Sequence, residues 1–148
     1  MTIDAIALEV MRHRLKSIAD EMEMTLLKSA YSSIIKEGLD ASTAIFTIDG
    51  ETIAQGNSIP IHLGSLIPAV KSIIDKFPVA TMQEGDAYIL NNPYLGGTHL
   101  PDVTIIAPIL YKKEPIALGC TIAHHQDIGG KTPGSIPPDA TEIFQEGL

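Results

Sequence analysis

The chain has 148 residues, 45% of them hydrophobic and 19% charged, which is the balance of one ordinary globular domain rather than of a disordered segment. Its formal charge of −8, with ten lysines and arginines scattered along the chain, leaves no basic footprint for nucleic acid or an anionic membrane. No apolar run reaches the roughly 18 to 20 residues that span a bilayer, and no basic-then-apolar leader opens the chain, so a cytoplasmic location is expected.

From Ile3 to about Ser33 the chain lacks Pro and Gly, and Met11, Leu15, Ile18, Met22 and Leu26 recur at spacings of three and four. That period predicts a long amphipathic helix with the stripe turned to the core, capped by Thr2 or Asp4. The period then changes in "KEGLDASTAIFTIDGETIAQG", where Ser42–Ile48, an Asp49-Gly50 turn and Thr52–Gln55 read as a β-hairpin. Asp40, just before it, either reaches a site or caps the hairpin, and the cap is the favoured reading. A second helix is predicted over Ser65–Phe77, with Pro68 in its first turn and Pro78 closing it. Short strands follow at Ala87–Asn91, Val103–Tyr111 and Ile116–Ala123. The single cysteine, Cys120, falls in the last of these and reads as a small buried residue. The final 23 residues are rich in Gly and Pro, with Ala140–Glu146 helical in pattern. The fold class is therefore α+β: a long N-terminal helix, β-hairpins and a mainly antiparallel sheet.

Chemistry gathers where two apolar strands flank the short turn "KKEP". Folding the chain about Lys113 pairs residues whose numbers sum to about 226, which sets Asp102 opposite His124. Directly opposed residues carry their Cβ atoms roughly 5 Å apart on one face, a gap that one ion bridges. His99, three residues earlier across a proline, turns onto the same spot. Two imidazoles and a carboxylate suit a divalent transition metal, Zn²⁺, Fe²⁺ or Mn²⁺, with positions left open for water or substrate. A register slip of one residue presents His125 instead of His124. His125 and Asp127 otherwise stand beside the site for proton transfer. His62, before the second helix, is either a proton donor in the pocket or a histidine held by backbone at the helix start. The bland alternative for the triad is a set of turn residues at strand ends. No Gly-x-x-x-x-Gly-Lys-Ser/Thr phosphate loop is present, so nucleotide binding is assigned elsewhere.

Three stretches, "NNPYLGGTHLPDVTIIAPI", "AHHQDIGGKTPGSIPPDATEIFQEGL" and "AQGNSIPIHLGSL", resemble the hydantoinase B family, which includes subunits or domains of N-methylhydantoinases, 5-oxoprolinases, caprolactamase, and acetone and acetophenone carboxylases. By that resemblance His99, Asp102 and His124 fall where the family's metal-binding His, Asp and His lie. It further implies a hydantoinase A-like partner that binds ATP and Mg²⁺ and phosphorylates an amide, lactam or enol oxygen, in a hetero-oligomer. Family members are longer, so residues 1–148 are expected to be the N-terminal region of a larger subunit, cut short after "EIFQEGL". The leading expectation is a metal-bearing subunit of an ATP-dependent hydrolase of cyclic amides. The alternatives are a subunit of an ATP-dependent ketone carboxylase and a truncated, non-catalytic fragment that binds a partner.

Overall fold

The structure is a computed structural model, and it describes residues 4–57 and 59–148. Helix α1 (Ala5–Ser29) and a single helical turn, α2 (Ser33–Lys36), lead into β1 (Ala41–Phe46) and β2 (Thr52–Gln55). Helix α3 (Pro60–Lys76) follows, and then β3 (Tyr88–Leu90), β4 (Asp102–Tyr111) and β5 (Glu114–His124). The strands form one sheet in the order β2-β1-β5-β4-β3, and every neighbouring pair is antiparallel. The α+β class read from the sequence is the one observed.

Alternate strand residues point to opposite faces, and each face of this sheet carries one helix. On one face Leu66, Val70 and Ile73 of α3 pack with Ala44, Phe46, Ile106, Leu118, Cys120 and Ile122. On the other, Ala19 of α1 packs with Ile45, Ala54 and Ala117, flanked by Leu15 and Met22. Strand β1 lies under both helices, and all six of its residues are buried. Burial also pushes the Cys120 thiol up from its ordinary pKa, so it remains an inert, protonated core group.

Four expectations need correction. In α1 the contact stripe is rotated: Leu15, Ala19 and Met22 meet the sheet, whereas Met11 and Ile18 are 51% and 46% exposed. The reason is local: the small residues Ala54, Ala117 and Gly119 let the helix settle closely, and the Thr43 hydroxyl donates to the Ala19 carbonyl at 2.8 Å. Asp4 is the N-cap residue without a side-chain cap bond, and Thr2 lies outside the described residues. Helix α3 begins at Pro60, five residues earlier than predicted, because a proline with its fixed φ starts a helix well. Pro68 is consequently inside the helix, where it has no N–H to donate to the exposed Gly64 four residues back. The segment Ala140–Glu146 holds only a 3₁₀ turn, Ile143–Gln145.

The β4–β5 hairpin fixes the site. Its turn residues Lys112 and Lys113 both have positive φ, 50° and 70°, as a tight two-residue turn requires. Such a turn alone would set Asp102 against Ala123. Ile116 is passed over between the pairs Ile109–Ala117 and Leu110–Pro115, and that bulge shifts the register so that Asp102 faces His124. No helix among the described residues is long and apolar enough to cross a membrane.

Candidate metal centre

Asp102 opens β4 and His124 closes β5, directly opposed in the ladder. The pairing is carried past the strand ends on both sides: His124 N–H donates to the Asp40 carbonyl at 3.1 Å, and His125 N–H donates to the Pro101 carbonyl at 2.8 Å. The ends of β1, β4 and β5 are therefore stitched together under the site. His99 enters from the loop before β4, its Nε2 at 3.1 Å from Asp102 Oδ1. The His99 and His124 rings meet edge to face with centroids 4.9 Å apart.

Two buried atoms here have no hydrogen-bond partner among the described residues: Asp102 Oδ1 and His124 Nδ1. The 3.1 Å approach of His99 Nε2 to Asp102 Oδ1 lacks hydrogen-bond geometry, so this carboxylate oxygen and His124 Nδ1 both stand unpartnered beside the His99 ring. Leaving such acceptors unsatisfied is costly, and a cation removes the cost. The candidate ligand atoms of His99, Asp102 and His124 all lie within 4.8 Å of one another. The donors, neutral imidazole and carboxylate, fit a first-row ion.

Asp102 is 3% exposed, and burial by itself would raise its pKa. The hydrogen bonds from His62 and the Thr98 hydroxyl, together with the nearby charge of His99, outweigh that and hold it at about 2. It is a carboxylate throughout the neutral range, ready to ligate. Because the folded value lies below the unfolded one, the unfolded chain binds more protons between the two. The stability contributed by Asp102 is then fully present above about pH 4 and lost as pH falls through about 2. Urea unfolding of metal-free wild type and Asp102→Asn is expected to show a gap that shrinks as pH falls from about 4 through about 2; a gap that holds steady over that fall contradicts the assignment.

The remaining predicted residues separate into two groups. His62 lies in the first turn of α3, is 3% exposed, and brings Nε2 to 3.4 Å from both Asp40 Oδ1 and Asp102 Oδ2. It shares with Asp40, Thr98, His99, Asp102 and His124 a cavity of about 560 Å³, completed by Ile59 and Ile61. The favoured reading of Asp40 as a cap is thus corrected, since its carboxylate turns into the cavity. His125 is exposed and Asp127 is spent elsewhere: neither lines this cavity. The Asp127 carboxylate accepts from Gly129 N–H at 2.8 Å, Gly134 N–H at 3.0 Å and Ser135 Oγ at 2.9 Å, which hold it below the usual carboxylate range and tie down the glycine-rich loop. His125 fails for a simpler reason, being one residue out of phase with His124 on the strand. Thr98, adjacent to His99, and Ser42, buried behind His62, were not singled out from the sequence; a hydroxyl carries no pattern until its neighbours are known.

The profile of the "Hydantoinase B/oxoprolinase" family matches residues 4–148. The chain is 43% identical over 148 residues to an uncharacterised protein of Methanocaldococcus jannaschii, covering 99% of this chain and 26% of that one. It is 41% identical to a 5-oxoprolinase of Dictyostelium discoideum, covering 98% of this chain and 11% of the relative, and 42% identical to the caprolactamase beta subunit of Pseudomonas jessenii, covering 99% and 25%. The crystal structure of the ATP-dependent caprolactamase from Pseudomonas jessenii superposes with a TM-score of 0.84 at 36% identity, over 100% of this chain and 25% of that one. An acetone carboxylase structure superposes with a TM-score of 0.83 at 23% identity over 95% of this chain, a likeness of fold. The chain thus spans about a quarter or less of these relatives, in every case with nearly all of its own length, and it belongs to the hydantoinase B/oxoprolinase family.

Proposed function

We propose that this chain carries the metal centre of an ATP-dependent hydrolase of cyclic amides. In this reading His99, Asp102 and His124 hold one divalent transition metal, and a hydantoinase A-like partner supplies ATP and Mg²⁺ chemistry. The observation that carries it is the pair of buried, unpartnered atoms, Asp102 Oδ1 and His124 Nδ1, converging with His99. The substrate class follows from the relatives, a 5-oxoprolinase and a caprolactamase at 41% and 42% identity, each acting on a cyclic amide by name.

When bound, such an ion supplies Lewis acidity to a substrate oxygen. The chain's own groups do the rest. Thr98 donates to Asp102 Oδ2, which fixes the carboxylate plane and keeps Oδ1 turned to the ligand set. His62 sits over the Asp40 and Asp102 carboxylates, at the right place to hold a proton beside the cavity. Ile59 and Ile61 line one side of the cavity. A lactam needs activation because its nitrogen donates into the carbonyl; phosphorylation of the carbonyl oxygen by the partner removes that resonance and provides a leaving group. The cavity of about 560 Å³ has room for a small ring so activated.

The test combines the metal-loaded protein with a hydantoinase A-type partner and ATP, and offers a lactam or a ketone with bicarbonate. ATP consumption driven by the lactam is the expected result. Consumption driven by the ketone alone overturns it in favour of carboxylation, and no consumption with either overturns the catalytic reading.

A further inference from the structure

Helix α1 has 25 residues, about 37 Å of helix, and the sheet uses only part of it. Residues 5–14 are all exposed, Leu8, Val10 and Met11 each by more than half, whereas contact with the sheet begins at Leu15. The sheet face beneath α1 is likewise only partly covered. Helix α1 rests on β1 and β2. A second helix beside it, at an axis separation of about 8 to 10 Å, would lie over β5 and β4, since neighbouring strands are about 4.8 Å apart. On that face β5 offers the small residues Gly119 and Thr121, and Ile105 of β4 stands opposite Ile89 of β3, the two 44% and 70% exposed. Between this floor and α1 runs a groove of about 540 Å³, walled by Ile18, Glu21, Met22 and Thr25 and reaching Thr121. It lies on the face opposite α3, away from the cavity of His99, Asp102 and His124.

The charges of α1 select the occupant. Residues 5–16 carry Arg12, Arg14 and Lys16 against Glu9, and residues 20–28 carry Asp20, Glu21 and Glu23 against Lys28. The exposed half of the helix is therefore basic and the half along the groove acidic, which complements a second α1 running the opposite way. Arg12 pairs with Glu9 and Lys16 with Asp20 inside the helix. Among the described residues Arg14 and Glu21 have no ion-pair partner. They stand four residues before and three after Ile18, so both share its face.

We propose that two copies of this chain associate through antiparallel α1 helices about a two-fold axis near Ile18, each exposed N-terminal arm lying in the groove of the other copy. Leu8 and Met11 of the arm then cover Met22, Thr25 and Ile105, and Arg14 of each copy meets Glu21 of the other. Two-fold symmetry makes every such contact twice. The stripe Met11, Leu15, Ile18, Met22 and Leu26 is thereby used on both edges: the sheet takes Leu15 and Met22, and the second helix takes Met11 and Ile18.

The test is sedimentation velocity of the 148-residue chain, with cysteine cross-linking to fix the direction of the helices. Wild type is expected to be a dimer that dissociates as salt is raised. Arg14→Glu or Glu21→Arg is expected to weaken it about tenfold or more, because each reversal sets like charges together twice. The double variant Arg14→Glu/Glu21→Arg exchanges the pair and restores association; both side chains are exposed, so the fold is not at risk. Ile18→Cys is expected to form an intermolecular disulfide and Met11→Cys none, since the two copies of position 11 are about 21 Å apart in this arrangement. Cys120 is buried and stays out of the reaction. A monomeric wild type overturns the proposal and leaves the groove to another partner, which hydrogen exchange with a hydantoinase A-type protein added would reveal. A dimer that neither charge reversal weakens, or that Met11→Cys cross-links, overturns the antiparallel α1 contact.

Discussion

Asp102→Ala is expected to abolish the metal binding proposed for His99, Asp102 and His124, with affinity falling by more than the roughly 10- to 100-fold that follows loss of an outer-shell partner. Asp102 is the one carboxylate of the His99, Asp102 and His124 set, and its Oδ1 has no other claimant. Removing it leaves two neutral imidazoles, without charge to balance a divalent ion and with one ligand too few for a stable site. Thr98 and His62 lose their acceptor at the same time, so the variant also loses folding stability. Elemental analysis after reconstitution, read beside far-UV spectra that report an intact fold, measures the effect. Asp127→Ala supplies the contrast: its carboxylate binds Gly129, Gly134 and Ser135 outside the cavity, so that variant keeps its metal. Equal metal retention in the two variants would remove Asp102 from the ligand set.

The contrast between Asp102 and Asp127 also marks how far the sequence could be read. Opposition of Asp102 and His124 followed from counting about a turn, because hairpin pairing is a local rule and both flanking strands are long. The count succeeded through the bulge at Ile116, whose extra residue offsets the two-residue turn. The strands and the hairpin were legible for the same reason: their period lies within a few residues of chain. What was not legible came from distant packing. Asp40 and His62 are 22 positions apart in sequence, and they meet only because β1 pairs with β5 and α3 lies across the sheet end. The rotated contact stripe of α1 depends on small residues at 54, 117 and 119 that no helical period reveals. Asp127 looked available since its partners are backbone amides and one hydroxyl, which leave no trace in composition.

A steep loss of stability outside the candidate ligands is expected for Gly96→Ala, about 3 kcal/mol or more. Gly96 follows the turn Pro93–Leu95 with φ of 109°, a conformation that L side chains rarely adopt. A Cβ placed there lies 2.4 Å from Ala69 N, 2.6 Å from Pro68 C and 2.9 Å from Ala69 Cα, all backbone of α3. Helical backbone cannot yield, so the loop must lift, breaking the 2.7 Å hydrogen bond from Ser72 Oγ to the Leu95 carbonyl. Gly85 provides the reference: its φ is 92° but an added Cβ meets nothing within 4 Å, so Gly85→Ala bears the conformational cost alone, about 1 kcal/mol. Urea unfolding of the two variants therefore separates strain from collision, and Gly96→Ala no less stable than Gly85→Ala would refute the collision. The displaced loop is the one that carries Thr98 and His99 into the centre, two and three residues further on. Metal affinity should thus fall in Gly96→Ala and not in Gly85→Ala, although neither glycine touches the ligand set, because α3 holds the loop at the distance that His99 needs to reach Asp102.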